Sequence, residues 1–231
     1  MRKQRVRHLM QAAGGGTDSL LRLCTSAVSS LDVDGIGLSM TNGSGSNTKV
    51  AATDQVSDRI EDLQVLLGQG PCVDAVTTGA PVLVADLVGS DAGTRWPMFT
   101  PAVTAIGVRA SFSVPLIVGH LRLGAMDLYR ADAGPLNPPQ VAEAEDYASA
   151  AVNMLLERQQ DAPTPAADLG PAWAASSSVY QATGMVMVQL DIDAEGAFAA
   201  LRARAYQEGR TLAEVSADVL DRRLRLVDEG A

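Results

Sequence analysis

The chain has 231 residues, a formal net charge of −9 at pH 7 and 47% hydrophobic residues, which is typical of a globular protein of two domains. The negative charge excludes non-specific nucleic-acid binding through the whole surface, because duplex affinity comes mostly from cations that neutralise phosphates. No apolar run reaches the roughly 18 residues that span a bilayer, and no signal-peptide core follows the basic residues 1–8, so we expect a cytoplasmic protein with no membrane partner.

After a basic arm at residues 1–14, the region 15–160 mixes helical and strand periodicity. The predicted elements, in chain order, are a helix that contains Leu20, Cys24, Ala27 and Leu31, strands at 35–40 and 49–52, a helix at 57–67 that stops at Gly68, a short helix from Pro71, a strand at 82–87, a loop to Trp96, strands at 110–118 and 121–129, and a helix at 139–160. The two longest strands are joined by a tight turn at Gly119-His120. Runs of strands with helices at both ends predict an α+β domain, an antiparallel sheet flanked by helices.

Three stretches of this region carry a family resemblance: 68-GQGPCVDAVTTGAPVLVADL-87, 95-RWPMFTPAVTAIGVRASFSVPL-116 and 123-LGAMDLYR-130. In this order they resemble the GAF domains of actinobacterial regulators, over most of residues 15–160. The resemblance implies a six-stranded type of antiparallel sheet with a pocket on one face, used to sense a small-molecule ligand or to dimerise. The candidate pocket residues are Cys72, Met40, Phe112, Val114 and Met126.

Cys72 has two interpretations. It lies in the first turn of a predicted helix, where the helix dipole lowers a thiol pKa, so it is a candidate redox sensor. The alternative is a small buried hydrophobic residue, since no second cysteine or histidine lies nearby in sequence. With Cys24 as the only other cysteine and no CxxC spacing, the sequence predicts neither a disulfide framework nor a metal site, and it identifies no cofactor.

The helix at 139–160 has a heptad-like seam, which consists of Val141, Ala144, Ala148, Ala151 and Leu155. This seam either forms a dimer contact or covers the sheet of its own domain. The GAF resemblance favours a homodimer.

Residues 161–175 include three prolines and no periodic apolar pattern, which predicts an inter-domain linker. Residues 176–226 then predict three short helices from their start and stop signals. These signals are a capping box at Ser178 and Gln181, an N-cap at Asp193, a left-handed stop at Gly209, and a capping box at Thr211 and Glu214. Apolar positions at helical spacing predict that the helices pack as a bundle.

The stretches 181-QATGMVMVQL-190, 197-AFAALRARA-205 and 212-LAEVSADVLDRR-223 resemble the ANTAR domain, an RNA-binding module of transcription antiterminators, over residues 176–226. The resemblance implies that the bundle recognises paired RNA hairpins in a leader transcript and prevents terminator formation, without chemistry on the RNA. The candidate RNA-binding residues are Gln181, Thr183, Arg202, Arg204, Arg222 and Arg223. Arg202 is the first choice because it flanks the apolar face. The chain departs from the family pattern at Thr183, where Lys is frequent, and at Ser216, where Ala is usual.

The combined prediction is a regulatory, non-enzymatic protein in which a GAF sensor controls an RNA-binding ANTAR bundle. One alternative is a DNA-binding regulator whose helices 194–208 and 212–226 form a helix-turn-helix. The opening of its recognition helix, Leu212 to Val215, lacks the Arg, Asn or Gln that reads base edges. A less favoured alternative is a small-molecule-binding GAF enzyme, for which no catalytic triad, paired carboxylates, P-loop or metal spacing is present in the sequence.

Overall fold

A computed structural model describes residues 17–41, 47–161 and 170–226. The predicted basic arm at 1–14 lies outside these residues, as does most of the predicted linker. The first domain contains α1 Thr17–Leu31, β1 Gly35–Thr41, β2 Asn47–Ala52, α2 Gln55–Leu67, α3 Pro71–Thr78, β3 Val82–Val84, α4 Ala92–Arg95, α5 Phe99–Ala105, β4 Ala110–Val118, β5 Leu121–Arg130 and α6 Pro138–Asp161. The second contains α7 Gly170–Leu190, α8 Ala194–Glu208 and α9 Leu212–Leu220.

The first domain is built on one antiparallel sheet of order β2-β1-β5-β4-β3, which confirms the predicted α+β class. The described residues form five strands, not the six-stranded type that the resemblance implied. The predicted strand at 82–87 is shorter, α4 forms where a loop to Trp96 was expected, and α5, which was not predicted, follows before β4. The turn at Gly119-His120 joins β4 and β5 as predicted.

The two faces of the sheet are chemically different, because successive side chains of a strand point to opposite faces. Ile36 and Leu38 of β1 belong to an apolar core shared with α1 and α6. Gly37 and Ser39, the alternate residues, contact side chains of α2 and α3. One face is therefore largely apolar, whereas the other carries buried polar groups.

The seam of α6 covers the sheet. Ala144, Ala148, Ala151 and Leu155 are buried in the same core as α1 and the apolar strand residues. This confirms the second of the two interpretations of the seam. The three alanines let α6 lie close to the sheet, and the seam is buried within its own domain.

The second domain is a three-helix bundle whose caps were largely predicted. Asp193 accepts a hydrogen bond from Gly196 N–H, Gly209 has φ 63°, and Thr211 forms a reciprocal capping box with Glu214. The capping box predicted at Ser178 is wrong, since α7 begins at Gly170 and continues through this position. Part of the predicted linker 161–175 is therefore helical.

The bundle rests on the first domain. Val65 and Leu66, near the end of α2, pack against the bundle core. The hydroxyls of Thr48 on β2 and Tyr180 on α7 lie 3.0 Å apart, at hydrogen-bond distance. Because β2 is an edge strand, α7 also covers a sheet edge that would otherwise be open to pairing with another chain. A bundle of this size buries little core alone, so these contacts contribute to its stability.

Within the ranges that the structure describes, no helix combines the length and the hydropathy needed to cross a membrane.

Candidate functional site

Arg202, the first candidate for RNA contact, is docked onto the first domain. Its Nε donates a hydrogen bond of 2.7 Å to the carbonyl oxygen of Leu66, in the last turn of α2. A helix C-terminus carries partial negative charge and unsatisfied carbonyls, so a guanidinium is favoured there. The guanidinium also lies against Gly68, where a Cβ would collide with it. Burial lowers the pKa of Arg202, although the group stays charged.

A side chain of the same helix, α8, also contacts the docked Arg202 guanidinium. The Cζ of Arg202 lies 5.8 Å from the centre of the Phe198 ring, within the range of a cation–π contact. The residue after Leu66 ends α2, and Gly68 follows in the left-handed conformation with φ 61°. Glycine at position 68 therefore serves both the helix stop and the close approach of the bundle.

Three other bundle arginines are paired with acidic neighbours. Arg204 Nε lies 2.6 Å from a Glu208 oxygen. Arg210 joins Glu208 at 3.0 Å and Asp218 at 2.7 Å. Arg223 Nε lies 2.8 Å from Asp218. The pKa of Glu208 is lowered by Arg210 and then by Arg204. The pKa of Asp218 is lowered by Arg210 and then by Arg223.

The remaining predicted RNA-binding residues differ in accessibility. Gln181 and Arg222 are exposed, and Arg222 adopts a left-handed conformation with φ 58° just beyond α9. Thr183 is only 9% exposed, and its hydroxyl donates to the Val179 carbonyl oxygen at 2.7 Å. The Thr183 hydroxyl hydrogen is therefore engaged within α7 in this conformation. The structure places these residues on the bundle without bringing all six onto one open surface.

The helix-turn-helix alternative gains no support from α9. Leu212 and Val215 are buried in the bundle core. Of the residues between them, Ala213 has no polar side-chain group, and the Glu214 carboxylate accepts from Thr211 and would be repelled by a phosphate.

A buried polar cluster lies on the other side of α2, between the sheet and the helices α2 and α3. In the sheet register, Gly37 of β1 is opposite Asp127 of β5, and Asp127 is opposite Ser113 of β4. The missing side chain at Gly37 leaves room for the Glu61 carboxylate, because a Cβ at position 37 would collide with it. Ser113 donates a short hydrogen bond to one Asp127 oxygen.

Cys72 joins this cluster from the first turn of α3. Its Sγ lies 3.3 Å from Ser39 Oγ, and its backbone N–H donates to Gln64 Oε1 at 2.8 Å. The ligand-type atoms of Glu61, Cys72 and Asp127 all lie within 4.8 Å of one another. Three elements distant in sequence thus place two carboxyl groups and one thiol together.

The electrostatics of this cluster oppose charge. Burial, then the neighbouring charges of Asp127 and Glu61, raises the pKa of the Cys72 thiol well above its ordinary value. The lowered thiol pKa expected from the helix dipole is therefore wrong, since desolvation and two carboxylates outweigh one helix turn. Burial, then the charge of Asp127, raises the pKa of Glu61 well above its ordinary value, and burial also raises that of Asp127.

The candidate pocket residues do not share one site. Phe112, Val114 and Met126 are buried in the apolar core with α1 and α6, and Met40 packs against that core. Cys72 is on the opposite face of the sheet. Of these residues, Val114 lines a groove of about 250 Å³ between β4 and α6, together with Pro115, Ala148 and Val152. This volume lies just below the range of about 300–1,000 Å³ that is usual for small-molecule pockets.

Sequence reasoning missed Glu61, Asp127, Gln64 and Ser39. A signal was present, since polar or small residues alternate with large apolar ones in β1, β4 and β5. Such alternation normally indicates a solvent-facing side of a sheet. Only the packing of α2 and α3 over that side shows that these polar groups are buried.

Comparison with known protein families agrees with this architecture. The family model described as GAF domain matches residues 16–156, and the model described as ANTAR domain matches residues 167–220. No curated protein sequence is significantly similar to the chain.

Solved structures share the fold of the first domain. The GAF domain of an Acinetobacter phosphoenolpyruvate-protein phosphotransferase has 9% identity and a TM-score of 0.56, with 69% of this chain and 93% of that chain covered. The corresponding GAF domain from Coxiella burnetii has 14% identity, a TM-score of 0.54 and the coverages 69% and 93%. The free methionine-R-sulfoxide reductase of Neisseria meningitidis has 13% identity, a TM-score of 0.50 and coverages of 68% and 89%.

At these identities the likeness shows the fold alone, and the family models carry the assignment. The five-stranded sheet with its flanking helices corresponds to the GAF match, and α7 to α9 correspond to the ANTAR match. This domain combination supports a regulatory role. The chain belongs to the proteins in which a GAF domain is followed by an ANTAR domain.

Proposed function

We propose that this protein binds RNA hairpins in nascent transcripts through its ANTAR bundle and promotes antitermination, and that its GAF domain controls access to the bundle. The match of the ANTAR domain to residues 167–220 supports RNA as the partner. The observation that supports control by the GAF domain is the hydrogen bond from Arg202 to the end of α2.

The charge distribution favours a regulated interaction. Arg204, Arg210 and Arg223 are already paired with carboxylates, so the bundle offers few unpaired cations to a phosphate backbone. Release of Arg202 from Leu66 then makes a large difference to RNA affinity, because each phosphate contact contributes separately. In the docked arrangement the RNA-binding form is a minor state that a signal on the GAF domain makes dominant.

Single-stranded loops are the expected target. The bases of a hairpin loop are accessible to side chains, whereas the groove of an A-form stem is too narrow to be read. Two hairpins suit a homodimer with two bundles, since linked sites gain affinity from effective concentration. The small residues of α6 are occupied within the chain, so we expect the dimer contact on another surface.

An equilibrium titration of the full chain with a two-hairpin RNA at fixed salt tests the proposal. Loop-scrambled RNA and duplex DNA are the controls for the ligand. Val65→Gln removes an apolar contact between α2 and the bundle without adding charge, and we expect it to strengthen hairpin binding about 5- to 10-fold. In that background Arg202→Ala is expected to weaken binding at least about tenfold.

Arg109→Ala is the charge-matched control, since Arg109 pairs with Asp86 in the GAF domain, away from the bundle. We expect this variant to bind RNA as the unchanged protein does. Equal affinity for scrambled RNA, or Val65→Gln binding no more tightly than the unchanged chain, would contradict the proposal. Read-through of a terminator in a purified transcription reaction then tests antitermination itself.

A further inference from the structure

The polar cluster beneath α2 and α3 brings two buried carboxyl groups and a buried thiol together. Glu61 and Cys72 are 0% exposed, and Asp127 is 4% exposed. The charge of Lys49 lowers the pKa of Glu61, against the larger effect of burial. Its ammonium already lies 2.6 Å from Asp58 and 2.9 Å from Asp62, on the outer side of α2. Within the described residues, no cationic side chain enters the cluster.

Among the described residues, three of the four carboxyl oxygens of the cluster have no hydrogen-bond partner, and the fourth, Oδ1 of Asp127, accepts from Ser113. Both oxygens of Glu61 and Oδ2 of Asp127 are buried without a partner in the described structure. A buried carboxylate without a partner is among the most costly groups that a protein can contain. These atoms converge with the Cys72 sulfur within 4.8 Å. The arrangement has the donors of a binding site for a positive ion and lacks the ion-pairing of a structural salt bridge.

We propose that Glu61, Cys72 and Asp127 form a site for a divalent transition-metal cation, and that zinc is the cation that their sulfur and oxygen donors fit. In a tetrahedral zinc site with Zn–S near 2.3 Å and Zn–O near 2.0 Å, neighbouring ligand atoms lie roughly 3.5 Å apart. The observed limit of 4.8 Å is compatible with such a site after small side-chain movements.

The donor set selects among metals. A thiolate favours zinc or another transition metal, whereas magnesium and calcium prefer sites made of oxygen alone. Two carboxylates and a thiolate around a dication leave a net charge of −1, as in structural zinc sites of three cysteines and one histidine. Three protein ligands leave a fourth position for water or another small ligand.

Neighbouring residues are placed to orient the ligands. Ser39 Oγ contacts the Cys72 sulfur, and Gln64 holds the Cys72 backbone N–H. Ser113 donates a hydrogen bond to Oδ1 of Asp127, and Oδ2 has no partner in the described part of the chain. Such outer contacts fix the direction of ligand side chains in metal sites. Gly37 provides the room in which the Glu61 carboxylate lies.

The test uses the full, untagged chain, stripped of metal with a chelator. Because the cluster is closed to solvent, zinc is added both to the folded protein and during refolding from denaturant. We expect one equivalent of Zn²⁺ to bind in competition with a chromophoric chelator. With Co²⁺ as a probe, we expect a near-ultraviolet thiolate-to-metal absorption band, which reports a bond between cysteine sulfur and metal.

Cys72→Ala and Cys24→Ala form the matched pair of variants. Both remove a fully buried thiol, but Cys24 lies on the opposite face of the sheet, in the apolar core. We expect Cys72→Ala to lose the absorption band and to weaken zinc binding at least about 100-fold, and Cys24→Ala to retain both. Glu61→Gln and Asp127→Asn are expected to weaken zinc binding while the metal-free variants still unfold cooperatively.

Zinc binding of equal strength in Cys72→Ala would overturn the proposal, because the metal would then be held elsewhere, for example by His8 or His120. A Co²⁺ complex without a thiolate band, or a preference for Mg²⁺ over Zn²⁺, would overturn it as well. The site does not depend on the proposed RNA function. Failure of RNA binding leaves the zinc titration unchanged, so the two proposals are tested separately.

Discussion

One glutamate of the GAF domain and one of the ANTAR bundle lie in opposite environments. In the GAF domain Glu61 is fully buried and its oxygens have no partner, and burial raises its pKa. In the ANTAR bundle Glu208 lies at the surface between two arginines, and Arg210 and then Arg204 lower its pKa. Glu208 therefore has cationic partners from its own chain, whereas Glu61 has none beside it within the described ranges.

This difference has a functional consequence. In the bundle Arg204, Arg210 and Arg223 are paired with carboxylates, so under the proposed function we expect RNA affinity to depend on few groups, with Arg202 foremost. The GAF domain holds two buried carboxyl groups and a thiol within 4.8 Å of one another, and under the proposed zinc site a cation stabilises their ionised forms. α2 connects the two regions, since Glu61 and Gln64 point into the cluster while Val65 and Leu66 contact the bundle.

The largest effect on stability is expected from a substitution that adds a side chain to the space that the Glu61 carboxylate occupies. Gly37→Ala places a methyl group against the Glu61 carboxylate, and we expect it to lower the free energy of unfolding by about 1–3 kcal/mol. In a Glu61→Ala background the same change should cost much less, because the colliding group is gone. Denaturant unfolding of the four proteins in this cycle measures the difference.

Gly184→Ala is the counterpart in the bundle. An added Cβ at position 184 has no atom within 4 Å, and the position is exposed on α7. Alanine favours a helix by up to about 1 kcal/mol over glycine, so this variant should be slightly more stable. Equal losses in Gly37→Ala and Gly184→Ala would show that the proposed room for Glu61 has no energetic role.

The next effect compares two isosteric changes. Glu61→Gln removes an unpartnered buried carboxyl group, and in metal-free protein at pH 7 we expect it to raise the free energy of unfolding by about 1–2 kcal/mol. Glu208→Gln removes a surface partner of two arginines and should lower stability slightly. The comparison is a pair of denaturant titrations, and a loss of stability in Glu61→Gln would contradict the assignment of Glu61 as uncompensated.

The smallest effect concerns pH. The folded-state pKa of Glu208 and of Asp218 is lowered, chiefly by Arg210. Their contribution to stability is therefore present above the unfolded values of about 4.3 and 3.9, and it is lost as pH falls further through the lowered folded values. We expect the stability difference between the unchanged chain and Arg210→Gln to shrink as pH falls below about 4. A difference that stays constant would argue against these pairs.

Much of the fold was predictable because its signals are local. Gly68 and Gly209 stop helices as expected, and the capping box of Thr211 and Glu214 forms as expected. These features depend on residues within one turn of each other. The wrong capping box at Ser178 has the same origin, since a favourable local pattern was overruled when α7 extended to Gly170.

The candidate sites were less predictable, because they join distant parts of the chain. The choice of Arg202 rested on its position beside the apolar face of a helix, and nothing local indicated that Leu66 would accept its hydrogen bond. The candidate pocket residues Phe112 and Met126 point to the face of the sheet opposite Cys72, so they do not share a site with it. A shift of one residue along a strand moves a side chain to the other face of the sheet.

The sequence by itself determined the two domains, their α+β and all-helical classes, and the ends of most helices, since periodicity and caps act over a few residues. Only the tertiary structure decided which polar groups are buried and which cations are occupied. Burial and electrostatic interactions depend on distances through space, and Glu61, Cys72 and Asp127 become neighbours only when α2 and α3 close over the sheet.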